Sequence, residues 1–188
     1  MAKFLKCGSI HGTHVILRQI QVKDAEFVLS LRLHPTKGRF ISATSSDITL
    51  QENWIRDTLL KDNEIMFIVA DKENRNLGCI RIYNANSHSY TWGSWLMIDG
   101  LSPVIAIESI ALLYSYGKML GYSSAMLDVR RKNVSVWSFH EKYTGAKLIF
   151  EDEFDRFYRL DEKEIDQFLI RHMHLITQPL KILDLKKS

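Results

Sequence analysis

The 188-residue sequence lacks the features that mark several large classes of protein. Its two cysteines, Cys7 and Cys79, are too few for a disulfide framework and do not have the spacing of a metal site. No stretch approaches the 18 apolar residues of a membrane-spanning helix, and the first residues lack the apolar run of a secretory signal. We therefore expect a cytoplasmic protein, or the cytoplasmic part of something larger, in which Cys79 is a reduced core thiol.

The sequence also lacks a large excess of charge of either sign. The sequence has 25 Lys and Arg against 22 Asp and Glu, which leaves a formal net charge of +3. Basic residues cluster only at 130–132 and at the last two lysines, so we predict no nucleic-acid partner. With 46% hydrophobic and 25% charged residues, the composition is that of an ordinary globular domain of this length.

The hydrophobic periodicity predicts an α+β protein. Strands alternate apolar and polar residues, and helices repeat apolar residues every three or four positions. The predicted order is β-α-α-β-β-β-α-β-α-β-β, a mostly antiparallel sheet with one parallel crossover. The predicted strands are 13–20, 64–73, 76–84, 89–98, 125–129, 146–151 and 156–160, and the main helices are 22–33, 50–60 and 104–120.

The last 28 residues form a separate prediction. We place a single domain at residues 1–160 and an amphipathic helix with a tail at 161–188. Its apolar stripe suits packing on the domain, on a partner subunit, or on a membrane. We expect the helix to pack on the domain or on a partner subunit rather than on a membrane. A homodimer therefore stays an open alternative. The stripe consists of Ile165, Phe168, Leu169, His172 and Leu175.

The segment 128–146, DVRRKNVSVWSFHEKYTGA, begins as a strand, passes through three cations and opens a helix at Asn133. "LDVRRKN" followed by "VWSFHEKYTGA", with "AIESIALLYSYGKMLGY" upstream, resembles the GCN5-related N-acetyltransferase (GNAT) superfamily. The resemblance covers about residues 13 to 160 in order. Its local match is carried by Asp128, Val129, Asn133, His140, Lys142 and Gly145.

The resemblance implies a fold and a co-substrate. It implies a GNAT-like mixed sheet of six to seven strands with flanking helices, in which the fourth and fifth strands, 89–98 and 125–129, splay apart. It also implies that acetyl-CoA is the co-substrate and that no metal is used. A helix N-terminus suits its pyrophosphate, and an exposed strand edge suits its pantetheine arm. The implied contacts are Leu96, Met97, Ile98, Gly100, Leu101, Ser102, Val104, Ile105, Ala106, Ile107 and Asn133.

The phosphate loop departs from the pattern of the family. The usual loop is Gln/Arg-x-x-Gly-x-Gly/Ala, but here Val104 takes the place of the first glycine and Ala106 that of the second. Neither Gln nor Arg stands where expected. The acetyl-CoA prediction therefore depends on the helix start and the order of elements.

Two residues are predicted to carry the chemistry. His140 occupies the helix position that often holds a Tyr acid in the family, and a His pKa near neutrality would suit proton donation. The alternative is a histidine packed between helix and sheet. Asp128 aligns with an acid that some relatives use as a base, the alternative being a salt bridge to Arg130 or Arg131, or a cap on the following turn. Helical spacing predicts Tyr143 as a core residue.

The acceptor side is predicted to combine the long polar loop 34–47, the short helix that carries Trp54, and the hairpin at Arg81 to Trp95 with its aromatic and amide side chains. Strand alternation places Tyr90 and Trp92 on one face and Trp95 on the other, with tryptophans in the sheet core as the alternative. The predicted substrate-binding residues are Arg39, Asn84, His88, Tyr90 and Trp92.

These residues predict an acetyl-CoA-dependent N-acetyltransferase that acts on the primary amine of a small acceptor by direct attack in a ternary complex. Flat aromatics and amides suit a sugar ring, and the resemblance adds a nucleotide-linked amino sugar as the acceptor. One alternative is acetylation of a protein N-terminus, as in the ribosomal-protein branch. Another is a non-catalytic CoA-binding or interaction module. This alternative stays open because the phosphate loop departs from the family pattern and the Tyr acid is missing.

Overall fold

A nine-stranded sheet runs through the computed structural model, which describes residues 4–177 and 179–186. The strand order is β7-β8-β6-β5-β4-β3-β2-β1-β9, and every neighbouring pair is antiparallel except the parallel pair of β5 and β6. The strands are β1 (Ser9–His11), β2 (Val15–Gln19), β3 (Ile65–Asp71), β4 (Asn76–Tyr83), β5 (Ser89–Met97), β6 (Ser124–Arg130), β7 (Lys147–Glu151), β8 (Asp155–Asp161) and β9 (Lys181–Leu183).

Five α-helices within the described residues cover the sheet. They are α1 (Ala25–Arg32), α2 (Ile48–Leu60), α3 (Pro103–Met119), α4 (Val134–Phe139) and α5 (Glu162–Arg171). Local sequence explains where two of them begin. The Asp47 side chain accepts a hydrogen bond from the Thr49 N–H at the start of α2, and Ser102 caps α3 ahead of Pro103.

The predicted mixed, mostly antiparallel α+β fold is confirmed, but the sheet has nine strands rather than six or seven. The two additional strands, β1 and β9, have three residues each and pair with one another at one edge of the sheet. Strands this short carry too few residues to show an alternating pattern, so they are defined by their partner and not by their own sequence.

The core lies on both faces of the sheet. Alternate residues of β3 point to opposite faces, so Ile65 and Phe67 join the main cluster under α3, while Met66 and Ile68 join a smaller cluster with α1 and α2. The C-terminal helix belongs to this packing, because Ile165 and Phe168 of α5 are buried in the main cluster. Among the described residues, no helix is long and apolar enough to cross a membrane.

A buried carboxylate joins α3 to the start of β2. Glu108 is fully buried and accepts hydrogen bonds from the backbone N–H groups of His14 (2.7 Å) and Val15 (3.1 Å). The His14 ring nitrogen Nδ1 lies 2.7 Å from its other oxygen. Glu108 therefore fixes α3 against the sheet, and so helps to set the position of the helix N-terminus.

Candidate active site

The two central strands of the sheet separate part-way along their length. β5 pairs with β6 only from Ser89 to Thr91, against Ser124 to Met126. Beyond this point β5 continues to pair with β4, while β6 pairs with β8 out to Arg130. The predicted splay is therefore present, and it leaves one edge of each strand free of the other.

A β-bulge shapes β5 inside the splay. Arg81 of β4 faces Gly93, but Cys79, two residues away, faces Leu96, so β5 has one extra residue at this point. Ser94 adopts a φ of 49° there. The extra residue turns Trp95 to the side of Trp92, and their ring centroids are 6.2 Å apart. The predicted placement on opposite faces is wrong because it assumed unbroken alternation.

A narrow cavity of about 90 Å³ lies within the splay. On one side it shares lining residues with a groove of about 440 Å³ that follows β5 towards the start of α3. On the other side it shares lining residues with a polar pocket of about 250 Å³. The residues that line both the cavity and the polar pocket are Phe40, Ile41, Gly93, Ser94, Asp128 and Arg130.

The groove contains several of the residues predicted to contact CoA. Leu96, Met97, Ile98, Ala106 and Asn133 line it. The remaining predicted residues lead into α3 or belong to its first turns. The residues that do not line the groove are Gly100, Leu101, Ser102, Val104, Ile105 and Ile107. The side chains of Leu101, Ile105 and Ile107 pack against the main core, whereas those of Ser102 and Val104 are exposed.

Asn133 begins α4 but does not cap it with its side chain. Its carbonyl oxygen accepts the N–H groups of Val136 and Trp137, while its side-chain oxygen accepts the Ser135 hydroxyl at 3.3 Å. The helix continues into a π-helical turn, His140–Thr144, which ends at Gly145 with a φ of 75°. The wider turn rotates the following residues, so Tyr143 is 57% exposed and the prediction that it is a core residue is wrong.

His140 lines the cavity from a buried position, with 2% of its surface exposed. Its ring centroid lies 5.2 Å from that of Trp92 and 5.3 Å from that of Phe139. Burial among these aromatic rings lowers the pKa of His140 to about 3, so the expected pKa near neutrality is wrong. The imidazole is neutral at physiological pH, and its Nδ1 has no hydrogen-bond partner within the described residues.

Asp128 faces the cavity and the polar pocket from β6. The Tyr83 hydroxyl donates a hydrogen bond to its Oδ1 at 2.8 Å. Neither arginine considered for a salt bridge contacts it, since Arg130 pairs with Asp155 at 2.8 Å and Arg131 donates to the Asp152 carbonyl. Burial, followed by the charge of Asp128 and this hydrogen bond, raises the pKa of Tyr83, which therefore stays protonated as a donor.

Comparison with solved structures identifies this arrangement. One neighbour is described as apo FdhC, a nucleotide-linked sugar GNAT; it is 28% identical, covers 89% of this chain and 97% of its own, and has a TM-score of 0.78. A GCN5-related N-acetyltransferase from Brucella melitensis is 14% identical over 92% of this chain and 86% of its own, with a TM-score of 0.77. The chain has the GNAT fold. Sequence comparison alone finds no matching protein family and no matching curated protein.

Neighbours within the GNAT fold differ in their acceptors. A SpeG spermidine N-acetyltransferase variant from Vibrio cholerae is 14% identical, covers 80% of this chain and 95% of its own, and has a TM-score of 0.67. At that identity the likeness concerns the fold. FdhC, at 28% identity, supports acetyl transfer as the general chemistry of this chain.

The predicted acceptor residues occupy four different places in this GNAT fold. Arg39 lies at the opening of the groove, and Trp92 lines the cavity. Tyr90 is 1% exposed and packs against Tyr122 at 5.3 Å in the core, so it cannot contact a substrate. Asn84 and His88 lie on either side of the β4–β5 turn, which is next to the paired part of β5 and away from the splay.

Three residues of the candidate site were missed by sequence reasoning. Tyr83 reaches Asp128 from β4, Phe40 lines the cavity and both adjoining spaces, and Lys37 lines the cavity and the groove. The length of the loop 34–47 was the available signal for two of them. Nothing in the spacing of β4 singles out Tyr83, because its contact with Asp128 depends on the register of distant strands.

Proposed function

We propose that this protein is an acetyl-CoA-dependent N-acetyltransferase that acetylates a primary amine in a ternary complex. The observation that carries the proposal is the position of the narrow cavity in the splay. It adjoins an apolar groove on one side and a polar pocket with an ionisable carboxylate on the other. Such a passage lets a thioester and an amine approach each other from opposite sides of the sheet.

The residues of the groove fit the donor. A pantetheine arm carries amides and an apolar chain, which suit the unpaired edge of β5 and the side chains of Leu96, Met97 and Val136. At the far end of the groove α3 begins, with its N-terminal dipole favourable to an anion. The orphaned Nδ1 of the buried His140 also favours a ligand that brings a hydrogen-bonding atom to this part of the site.

The bound thioester supplies an activated acetyl group, and the residues of the chain would supply proton transfer and orientation. Asp128, oriented by the Tyr83 hydroxyl, would accept the proton that the acceptor ammonium must lose before its nitrogen can attack. The carbon–nitrogen bond would then form as the carbon–sulfur bond breaks, and the departing thiolate would take up a proton from solvent. His140 is neutral, so it would donate a hydrogen bond from the cavity wall to stabilise developing charge rather than act as an imidazolium acid.

For the acceptor, we propose a nucleotide-linked amino sugar. A basic opening of about 430 Å³, lined by Arg39, Phe40, Arg130 and Lys132, adjoins the site. Arginine and lysine suit the diphosphate of such an acceptor, and a flat aromatic ring suits a base or a sugar face. FdhC, which is described as a nucleotide-linked sugar GNAT, adds support at 28% identity. As part of the same proposal, the reaction takes place in the cytoplasm.

Calorimetric titration of the purified protein with acetyl-CoA, and then with free CoA, tests the donor. We expect saturable binding in the micromolar range, on the order of −8 kcal/mol. Screening of nucleotide-linked amino sugars, the corresponding free amino sugars and peptide N-termini would then test the acceptor. Absence of acetyl-CoA binding would overturn the enzyme proposal, and turnover of free amino sugars or peptides alone would overturn the proposed acceptor.

A further inference from the structure

The loop that precedes α3 lacks the positive charge that a diphosphate needs. Residues 98–107 contain no lysine or arginine, and their first acidic residue, Asp99, lies three residues ahead of the Ser102 cap. A carboxylate at this position repels an anion bound at the start of α3, and the helix dipole alone offsets this only in part. A cation would have to come from another part of the chain.

Lys37, in the loop between α1 and α2, lies next to this carboxylate. Its Nζ is 2.7 Å from Oδ1 of Asp99, and the His34 Nε2 is 3.6 Å from Oδ2. The lysine side chain is 20% exposed, whereas the aspartate is 74% exposed. The ion pair therefore joins the loop 34–47 to the segment that precedes α3. The lysine side chain in this pair is mostly enclosed, and the aspartate side chain mostly faces solvent.

The same lysine lines the central cavity and the groove along β5. Arg39, two residues further on, lines the groove and the basic opening, and Phe40 lines all three spaces. The Lys37 side chain therefore contacts Asp99 and also lines the groove in which an anion would bind. One short segment, residues 37–40, therefore carries both the cation that would contact the donor and the side chains that would contact the acceptor.

We propose that Lys37 is a phosphate-binding residue that exchanges Asp99 for the diphosphate of acetyl-CoA. The inference rests on the proposed use of acetyl-CoA. The exchange keeps the ammonium group paired in both states, and it moves a cation to the place where the phosphate loop has none. Because Phe40 lies three residues from Lys37, donor binding would also fix the wall of the acceptor pocket.

The test compares two donors, acetyl-CoA and S-acetylpantetheine, which carries the same thioester without the diphosphate. Charge-assisted hydrogen bonds of this kind correspond to roughly a 10- to 100-fold change in affinity. In titration calorimetry, K37Q should therefore bind acetyl-CoA at least about tenfold more weakly than the wild type and bind S-acetylpantetheine equally well. K37R should restore most of the affinity for acetyl-CoA. K163Q makes the same charge change at an exposed lysine of α5 and should behave as wild type.

Asp99 provides the second arm of the test. D99N removes the competing carboxylate, so it should tighten acetyl-CoA binding and leave S-acetylpantetheine unchanged. A purely structural lysine would give a different result, because K37Q would then weaken both donors alike and lower the melting temperature. Three outcomes would overturn the role of Lys37. They are equal weakening of both donors in K37Q, equal acetyl-CoA affinity in K37Q and the wild type, and weaker acetyl-CoA binding in D99N. Absence of acetyl-CoA binding by the wild type would overturn the proposed function itself.

Discussion

At the scale of single residues, the site separates two polar groups by their surroundings. Asp128 is exposed to the polar pocket and held by one neutral hydrogen-bond donor, Tyr83. His140 is enclosed by aromatic rings on the other side of the cavity. The carboxylate is accessible to a substrate ammonium group, whereas the imidazole is restricted to its neutral form. This accessibility supports the proposed role of Asp128 as the base.

The substitution D128N tests this role. If Asp128 is the base, kcat/KM should fall about 100-fold at pH 7, the lower part of the range for general bases. The deficit should shrink at pH 9, where more of the acceptor amine is already neutral. D57N makes the same change at an exposed carboxylate of α2 and should leave the rate unchanged. A D128N deficit that stays constant across the pH range would contradict the assignment.

Burial of His140 makes a separate prediction for stability. Its pKa is about 3 in the folded protein, below the value of about 6.5 for an unfolded histidine. As pH falls below 6.5 the unfolded state therefore gains a proton that the folded state does not, and the folded state loses stability. Between pH 7 and pH 5 this amounts to about 2 kcal/mol.

H140Q cannot titrate, so its free energy of unfolding should fall by about 2 kcal/mol less than that of the wild type over this interval. Urea unfolding at pH 7 and pH 5 measures both losses, and all other titrating groups are common to the two proteins. Equal losses in the two proteins would show that the imidazole takes up a proton in the folded state.

At the scale of elements, the bulge in β5 determines which of its side chains line the splay. Ser94 has a φ of 49°, in the left-handed region that side chains branched at Cβ rarely adopt. S94V should therefore lower the free energy of unfolding by about 1–3 kcal/mol, while S94G should be tolerated. T91V places valine in the regular part of the same strand and serves as the control. Urea unfolding of the three variants measures the difference, and equal stability of S94V and T91V would argue against backbone strain at the bulge.

The regular elements could be predicted from sequence, and the irregular ones could not. Alternation and helical periodicity located β2 to β6 and the helices α1 to α3, and the resemblance to the GNAT superfamily implied the splay. The bulge at Ser94 and the π-helical turn at His140 each add one residue to a regular repeat, which reversed the predicted positions of Trp95 and Tyr143. The pKa of His140 depends on rings from three other positions in the chain, so no local pattern could indicate it.

At the scale of the whole molecule, the candidate site and the edge formed by β1 and β9 lie far apart in the sheet, with β4, β3 and β2 between them. Ile182 of β9 pairs with the fully buried Ile10, whereas Leu183 beside it is 42% exposed. I182D should lower the free energy of unfolding by about 1.5–3 kcal/mol, and L183D by less than about 0.5 kcal/mol.

Acetyl-CoA affinity should be the same in both variants and the wild type, because neither residue is near the splay. Calorimetric titration at a temperature where both variants are folded checks this part of the prediction. A lower affinity in I182D alone would mean that the edge of the sheet and the site are coupled through the strands between them.

The pairing of β1 with β9 also affects how a newly synthesised chain folds. Ser9 lies opposite Leu183, so this pair closes one of the longest loops in the molecule and is unlike the hairpins that form early. On the ribosome, β1 emerges first of all the strands described, and its partner emerges last. Until then the backbone groups on the outer side of β1 are available to any other chain that exposes a strand. Slow translation before residue 181 would lengthen that interval, and aggregation during expression would respond to translation rate more strongly than the stability of the finished protein suggests.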